Sequence, residues 1–184
     1  MGRMNLAEIN WLQHKELNED WKGMKLKHAM SEKPFPMCEN AIGIDPGSRN
    51  FGMGIITDGA LSAYWGTIPK QEHSHLVFDY IYDFVVNWFP PLHTSKVCCV
   101  EGASYSEHFG QINLEDARLA FVQGFKALGK EVILVPPLTA RKVVMGNGRL
   151  KASDVWLQIN GNAADGACLA LYGGGYKHEG GLVE

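Results

Sequence analysis

From residue 41 onward the chain sets short apolar runs between turn residues, then changes to longer apolar stripes of helical period. Ala41-Ile42-Gly43-Ile44 is a buried-type strand that ends at Asp45, and Pro46-Gly47-Ser48 reads as a turn. Residues 51–56 read as a second strand, with Gly52 and Gly54 thinning one of its faces. Asp58-Gly59 is a hairpin signal before a third strand over 60–67, so the three form an antiparallel meander. Leu76, Val77, Tyr80, Ile81, Phe84, Val85 and Trp88 share one helical face, which predicts a helix over 73–88 stopped by Pro90-Pro91. Residues 97–100 form another apolar run, again followed directly by an acid, Glu101. Leu114, Ala117, Phe121, Gly124, Phe125 and Leu128 mark a second helix, with Gly129 as its stop. Residues 132–135 are a last short strand, halted by Pro136-Pro137. Thr139 is placed to cap a helix through Val144, and Ser153 one through Ile159. Residues 163–172 are small and apolar, suited to a closely packed helix, and Gly173-Gly174-Gly175 opens a tail expected to be loose.

Residues 1–40 differ. Charges alternate densely there, and Leu6, Ile9, Leu12 and Leu17 suit a short amphipathic helix, with Ser31, Pro34 and Pro36 as a linker. The expected organisation is an N-terminal extension and linker over 1–40, one domain over 41–172 and a flexible tail over 173–184. Three strands, a helix, a strand, a helix, a strand and closing helices predict an α/β fold, a mixed five-stranded sheet flanked by helices.

The 184 residues suit one domain, and 46% hydrophobic with 20% charged residues is ordinary for a globular chain. No apolar stretch is long enough to span a bilayer, and residues 1–20 lack the apolar block of a signal peptide, so a cytoplasmic protein is expected. The four cysteines form no CxxC pair, which argues against zinc and for buried, reduced thiols. A net charge of −3 does not advertise nucleic-acid binding, but local clustering decides that question.

The chemistry lies in the acids. A carboxylate at the rim of a core costs free energy unless it is hydrogen-bonded or neutralised. Alone, Asp45 or Glu101 reads as a loop cap. Together, at the ends of strands that would be parallel neighbours, they favour a divalent cation. Asn162 and Asp165 are three apart and share a helical face, with Ala163, Ala164, Gly166 and Ala167 letting that face approach the sheet. Asp165 is thus a third ligand candidate, or a solvated acid near a helix start. Arg141, Lys142, Arg149 and Lys151 cluster in one stretch, and Arg49 follows the first acid; phosphates are their natural partners. Tyr105, His108 and Phe109 fall in the loop after Glu101; Tyr105 and Phe109 are candidates to stack on DNA bases, and Phe109 equally to pack beneath the loop. The histidines at 73, 75, 93 and 178 lack ligand spacing beside an acid.

Gly43-Ile44-Asp45-Pro46-Gly47-Ser48-Arg49 with Gly52 and Gly54, then Val100-Glu101, then the stretch from Arg141 to Gly148, then Asn162-Ala163-Ala164-Asp165-Gly166-Ala167 resemble, in order, the motifs of RuvC Holliday-junction resolvases. The resemblance implies an RNase H-like fold, a homodimer, magnesium (with manganese able to substitute) and hydrolytic cleavage of four-way DNA junctions in recombination and repair. It carries Asp45, Glu101 and Asp165 over as metal ligands and Asn162 as a fourth catalytic position. Two cations roughly 3.5–4 Å apart would then serve the hydrolysis. The family has an acid or a His where this chain has Asn162, which brings no negative charge and cannot act as a base. The chain is also short between Gly148 and Asn162, and residues 1–40 have no counterpart in the basic pattern; both fit a divergent, phage-type member. Actin-like and sugar-kinase phosphate loops open similarly but need two large lobes. A non-catalytic branched-DNA-binding protein and a YqgF-like RNA-processing nuclease are the alternatives.

Overall fold

The computed structural model describes residues 6–14, 20–88, 95–102 and 112–178. The strands are β1 (Trp11–His14), β2 (Asp20–Trp21), β3 (Met24–Ser31), β4 (Ala41–Asp45), β5 (Asn50–Thr57), β6 (Ala60–Thr67), β7 (Val97–Glu101) and β8 (Glu131–Val135). The helices are α1 (Ser74–Asp83), continued by a π-helical turn over Phe84–Trp88, α2 (Ile112–Ala127), α3 (Pro137–Met145), α4 (Ala152–Val155) and α5 (Gly161–Gly173). The strands form one mixed sheet in the order β1-β3-β6-β5-β4-β7-β8, with β2 paired to β3. β4, β5 and β6 are the antiparallel meander, while β7 and β8 run parallel to β4.

Two layers of helix cover the sheet. On one face α1 and α2 enclose Ile42, Ile44, Phe51 and Met53 beneath Phe84, Phe121 and Phe125. On the other, α5 lies over β4 and β5, with α3 and α4 beside it. That second contact is unusually close. A Cβ on Gly52 would fall 1.8 Å from the Asn162 carbonyl oxygen, and one on Gly54 2.4 Å from Ala167 Cα. A Cβ on Gly43 would fall 2.2 Å from the Gly166 carbonyl oxygen, and from the helix side Gly166 rests on the Met53 backbone. Glycine on both surfaces lets backbone meet backbone, which fixes how α5 is seated.

Several elements differ from the sequence expectation. The sheet has eight strands rather than five. Residues 6–14 form a 3₁₀ turn over Leu6–Glu8 followed by β1, not an amphipathic helix. Leu6, Ile9 and Trp11 are nevertheless buried: Trp156 Nε1 donates to the Leu6 carbonyl at 2.8 Å, and the Trp11 and Trp156 rings meet edge-on at 5.5 Å. Leu12 points outward, and Leu17 lies outside the described residues. β3 ends at Ser31, a residue expected in the linker. The alternation Met24-Lys25-Leu26-Lys27, buried-exposed-buried-exposed, is a strand signal that the dense charges hide. Pro137 starts α3 at its first helical position, where a missing N–H costs nothing, so Thr139 is not the cap. The helix expected from Ser153 to Ile159 is the single turn α4, closed by buried Trp156. Residues 173–178 are packed rather than loose: Tyr176 meets Phe35 edge-on, and the His178 N–H donates to the Val143 carbonyl at 2.9 Å. Residues 179–184 and Pro90-Pro91 lie outside the described residues.

Gly54→Ala should destabilise the chain by about 1–3 kcal/mol or more, because the added methyl meets backbone that cannot rotate away. Gly102→Ala, whose Cβ would meet nothing closer than 3.6 Å, should change stability by less than about 0.5 kcal/mol. Urea unfolding of both variants checks the contrast, and equal losses would contradict the close-approach account.

Candidate functional site

β4 and β7 are parallel neighbours with Ile44 opposite Val100, so the acids that follow, Asp45 and Glu101, end adjacent strands side by side. α5 brings the third. Gly52 is the β5 partner of Asp45, and Gly52 lies against the backbone of Asn162, which seats the start of α5 beside the strand ends. Asp165 follows one helical turn later on the same face. The Asn162 N–H is capped by Asn160 Oδ1 at 2.9 Å, and the Asn162 side chain is half-buried.

The three acids feel one another. Burial pushes the Asp45 carboxyl well above the ordinary carboxylate range; the charges of Glu101 and Asp165 push it further, and Arg141 and Arg118 oppose them. Burial also raises Asp165, against the pull of the Arg141 guanidinium and Lys151. Arg141 Nη2 donates to Asp165 Oδ1 at 3.3 Å, with side chains only 15% and 17% exposed, so this ion pair is largely shielded from water. A crevice too tight to hold a water molecule is lined by Glu101, Ala140, Arg141, Asp165 and Cys168.

Among the described residues no three His, Cys, Asp or Glu side chains form a ready-made metal cluster. The acids converge in their electrostatics, while Asp165 is turned to Arg141. The donor set still fits a hard divalent cation, since it offers carboxylate oxygens only, and a cation would offset both the burial and the neighbouring charges that raise Asp45.

Of the basic residues, Arg49, Lys142, Arg149 and Lys151 are exposed, and Lys151 acts on Asp165 through its charge. Arg141 faces the acids instead of solvent. Tyr105, His108 and Phe109 lie outside the described residues.

Two residues at the site escape a reading of the sequence. Arg118 on α2 is buried, donates from Nε to the Glu101 carbonyl at 2.9 Å and pairs with Glu115. Its signal is present: Leu114, Arg118, Phe121 and Phe125 follow helical spacing, so a cation stands on an apolar stripe. Cys168, one turn beyond Asp165, lines the crevice, and burial with the Asp165 charge pushes its thiol up to about 12, which makes it a poor nucleophile. All four cysteines are free, and three are buried. No helix among the described residues is long and apolar enough to cross a membrane.

No protein-family model matches the sequence, and no curated protein matches it. Solved structures do. Thermus thermophilus RuvC is similar with a TM-score of 0.57 at 18% identity, over 72% of this chain and 91% of that one. T. thermophilus RuvC in complex with Holliday junction substrate is similar with a TM-score of 0.56 at 19% identity, over 72% and 90%. The chain therefore has the RuvC-type, RNase H-like fold that the motif resemblance implies.

The raised Asp45 has a thermodynamic consequence. An unfolded Asp loses its proton near pH ~3.9. The folded one holds it to higher pH, so its contribution to stability is full below that value and is lost as pH rises through the folded pKa. Asp165 acts with the same sign. In chelator, Asp45→Asn should raise the melting temperature at pH 7, with the gain shrinking towards pH 4. A gain that grows on acidification would contradict this electrostatic picture.

Proposed function

We propose that this chain is a structure-specific endonuclease that hydrolyses phosphodiester bonds in branched DNA, four-way junctions foremost. The observation that carries the reading is the placement of Asp45 and Glu101 at the ends of adjacent parallel strands, with Asp165 of α5 near enough to act on Asp45 through its charge, on a RuvC-type fold. The similarity to a RuvC structure holding a Holliday junction substrate supports the substrate class.

Asp45, Glu101 and Asp165 would hold magnesium, or manganese in its place, and the metal when bound supplies an activated water and stabilises the departing 3′-oxygen. The chain's own residues do the remaining work. Arg118 holds the end of β7 through the Glu101 carbonyl, and so positions that acid. Arg141 orients Asp165 and balances charge in the crevice. Asn162 offers an amide oxygen where a charged ligand would bind a cation more strongly. Arg49, Lys142, Arg149 and Lys151 take phosphates, and Tyr105 and Phe109 stack on bases opened at the junction centre. Residues 41–172 are the nuclease unit, to which the N-terminal strands are added, and the enzyme works in the cytoplasm.

Two symmetric cuts need two sites, so the active form is a homodimer. The helix carrying Leu114 and Phe121, α2, is the candidate interface; Phe121 is fully buried within the chain, whereas Leu119 is exposed. A second reading, a branched-DNA-binding protein without cleavage, draws on Asn162 and on the Arg141–Asp165 pair.

Synthetic four-way DNA with magnesium distinguishes the two. The chain should cleave it, Asp45→Asn should bind it without cleaving, and Asn162→Asp should cleave at least about tenfold faster, a gain of about 1.4 kcal/mol in barrier. Cleavage by Asp45→Asn at the parent rate would refute the assignment. Equal rates for the parent and Asn162→Asp at saturating magnesium would remove Asn162 from the site.

A further inference from the structure

The strand that the sequence pattern hides adds a second surface. β3 pairs antiparallel with β6, placing Lys27 opposite Trp65 and Lys25 opposite Thr67. Trp65 in turn pairs with Gly52, and Gly52 with Asp45. One row therefore crosses the sheet from Lys27 through Trp65 and Gly52 to Asp45. All four positions lie on the face that carries α5, since Ala29 of β3 and Ala63 of β6, in phase with them, pack into the α5 core. α5 begins at the Gly52 position, so the face beyond its N-terminal end stays open.

The opening is a groove of about 570 Å³ lined by Lys25, Lys27, Arg49, Trp65, Thr67 and Asn160, among others. None of the described residues that line it is acidic. Lys25, Lys27 and Arg49 are exposed, and none has an ion-pair partner among the described residues. Lys25 and Lys27, two apart on a strand, stand roughly 7 Å from each other along its axis. Three strand spacings put Lys27 about 15 Å from Asp45.

We infer that this groove holds the sugar–phosphate backbone of the DNA strand leading away from the acid cluster, which makes β3 a DNA-binding element built onto the sheet. The inference rests on the nuclease reading. It follows from three exposed cations aligned with the acids on one open face, where a polyanion running from the acids would find positive charge at each step. A free phosphate needs one such cation; a strand uses all three. The Trp65 ring floors the groove beside the lysines, an arrangement that suits a backbone with its sugars and bases.

The test measures binding of four-way DNA at a series of salt concentrations, without divalent cation, for the full chain and for the double variant Lys25→Ala/Lys27→Ala. Both lysines are exposed, so circular dichroism should show unchanged folding. The variant should bind several-fold more weakly, and its slope of log affinity against log salt should fall by about 1 to 2, one step for each phosphate left without its lysine. Shortening the junction arms until they no longer reach the groove should erase the difference between variant and parent. If the parent binds four-way DNA and the variant binds it equally with the same slope, the inference fails and the nuclease reading stands. If the parent binds no DNA, both fail. Polyglutamate binding that disappears in the variant while DNA binding persists would assign the groove to an acidic polypeptide, and would also overturn the inference.

Discussion

The site depends on how closely α5 can approach the sheet. Gly43, Gly52 and Gly54 on the strands and Gly166 on the helix remove the side chains that would hold the two apart. Backbone then touches backbone, and sliding α5 along the sheet would drive Cβ atoms of its alanines into the strands. That constraint sets Asp165 beside the ends of β4 and β7.

Once the acids are together, the charge balance follows. Three carboxylates at the rim of an apolar sheet are unfavourable without positive charge. Arg141 from α3 and Arg118 from α2 approach from opposite helical layers, one on Asp165 and the other on the Glu101 backbone. They temper the repulsion, while burial first and the neighbouring acids second keep Asp45 raised. The same arrangement that strains the metal-free site is what gives a divalent cation something to gain there.

The central domain is legible in the sequence because its signals are local. Apolar runs ending in Asp45 and Glu101 mark two strands and two acids; Asp58-Gly59 marks a hairpin, and Asp58 indeed adopts a positive φ in it. The small residues from Ala163 onward mark the packed helix. Edges and ends are less legible. β3 alternates lysine with buried Met24 and Leu26, but its partner β6 lies more than thirty residues away, and no local rule names that pairing. Leu6 and Trp11 pack against Trp156, from the far end of the chain, so the helix-like spacing of Leu6, Ile9 and Leu12 misleads. Arg118 is hard to see because a stripe of apolar residues draws attention away from the charge inside it. Arg141 stands in a basic cluster, and sequence does not show which member of such a cluster turns inward.

The claim at the centre of this account is that the three acids form one cation site. Calorimetric titration of the metal-free chain with manganese tests it most directly. Saturable binding is expected, abolished or greatly weakened in each of Asp45→Asn, Glu101→Gln and Asp165→Asn. Absence of binding in the parent chain, or binding indifferent to all three substitutions, would contradict it.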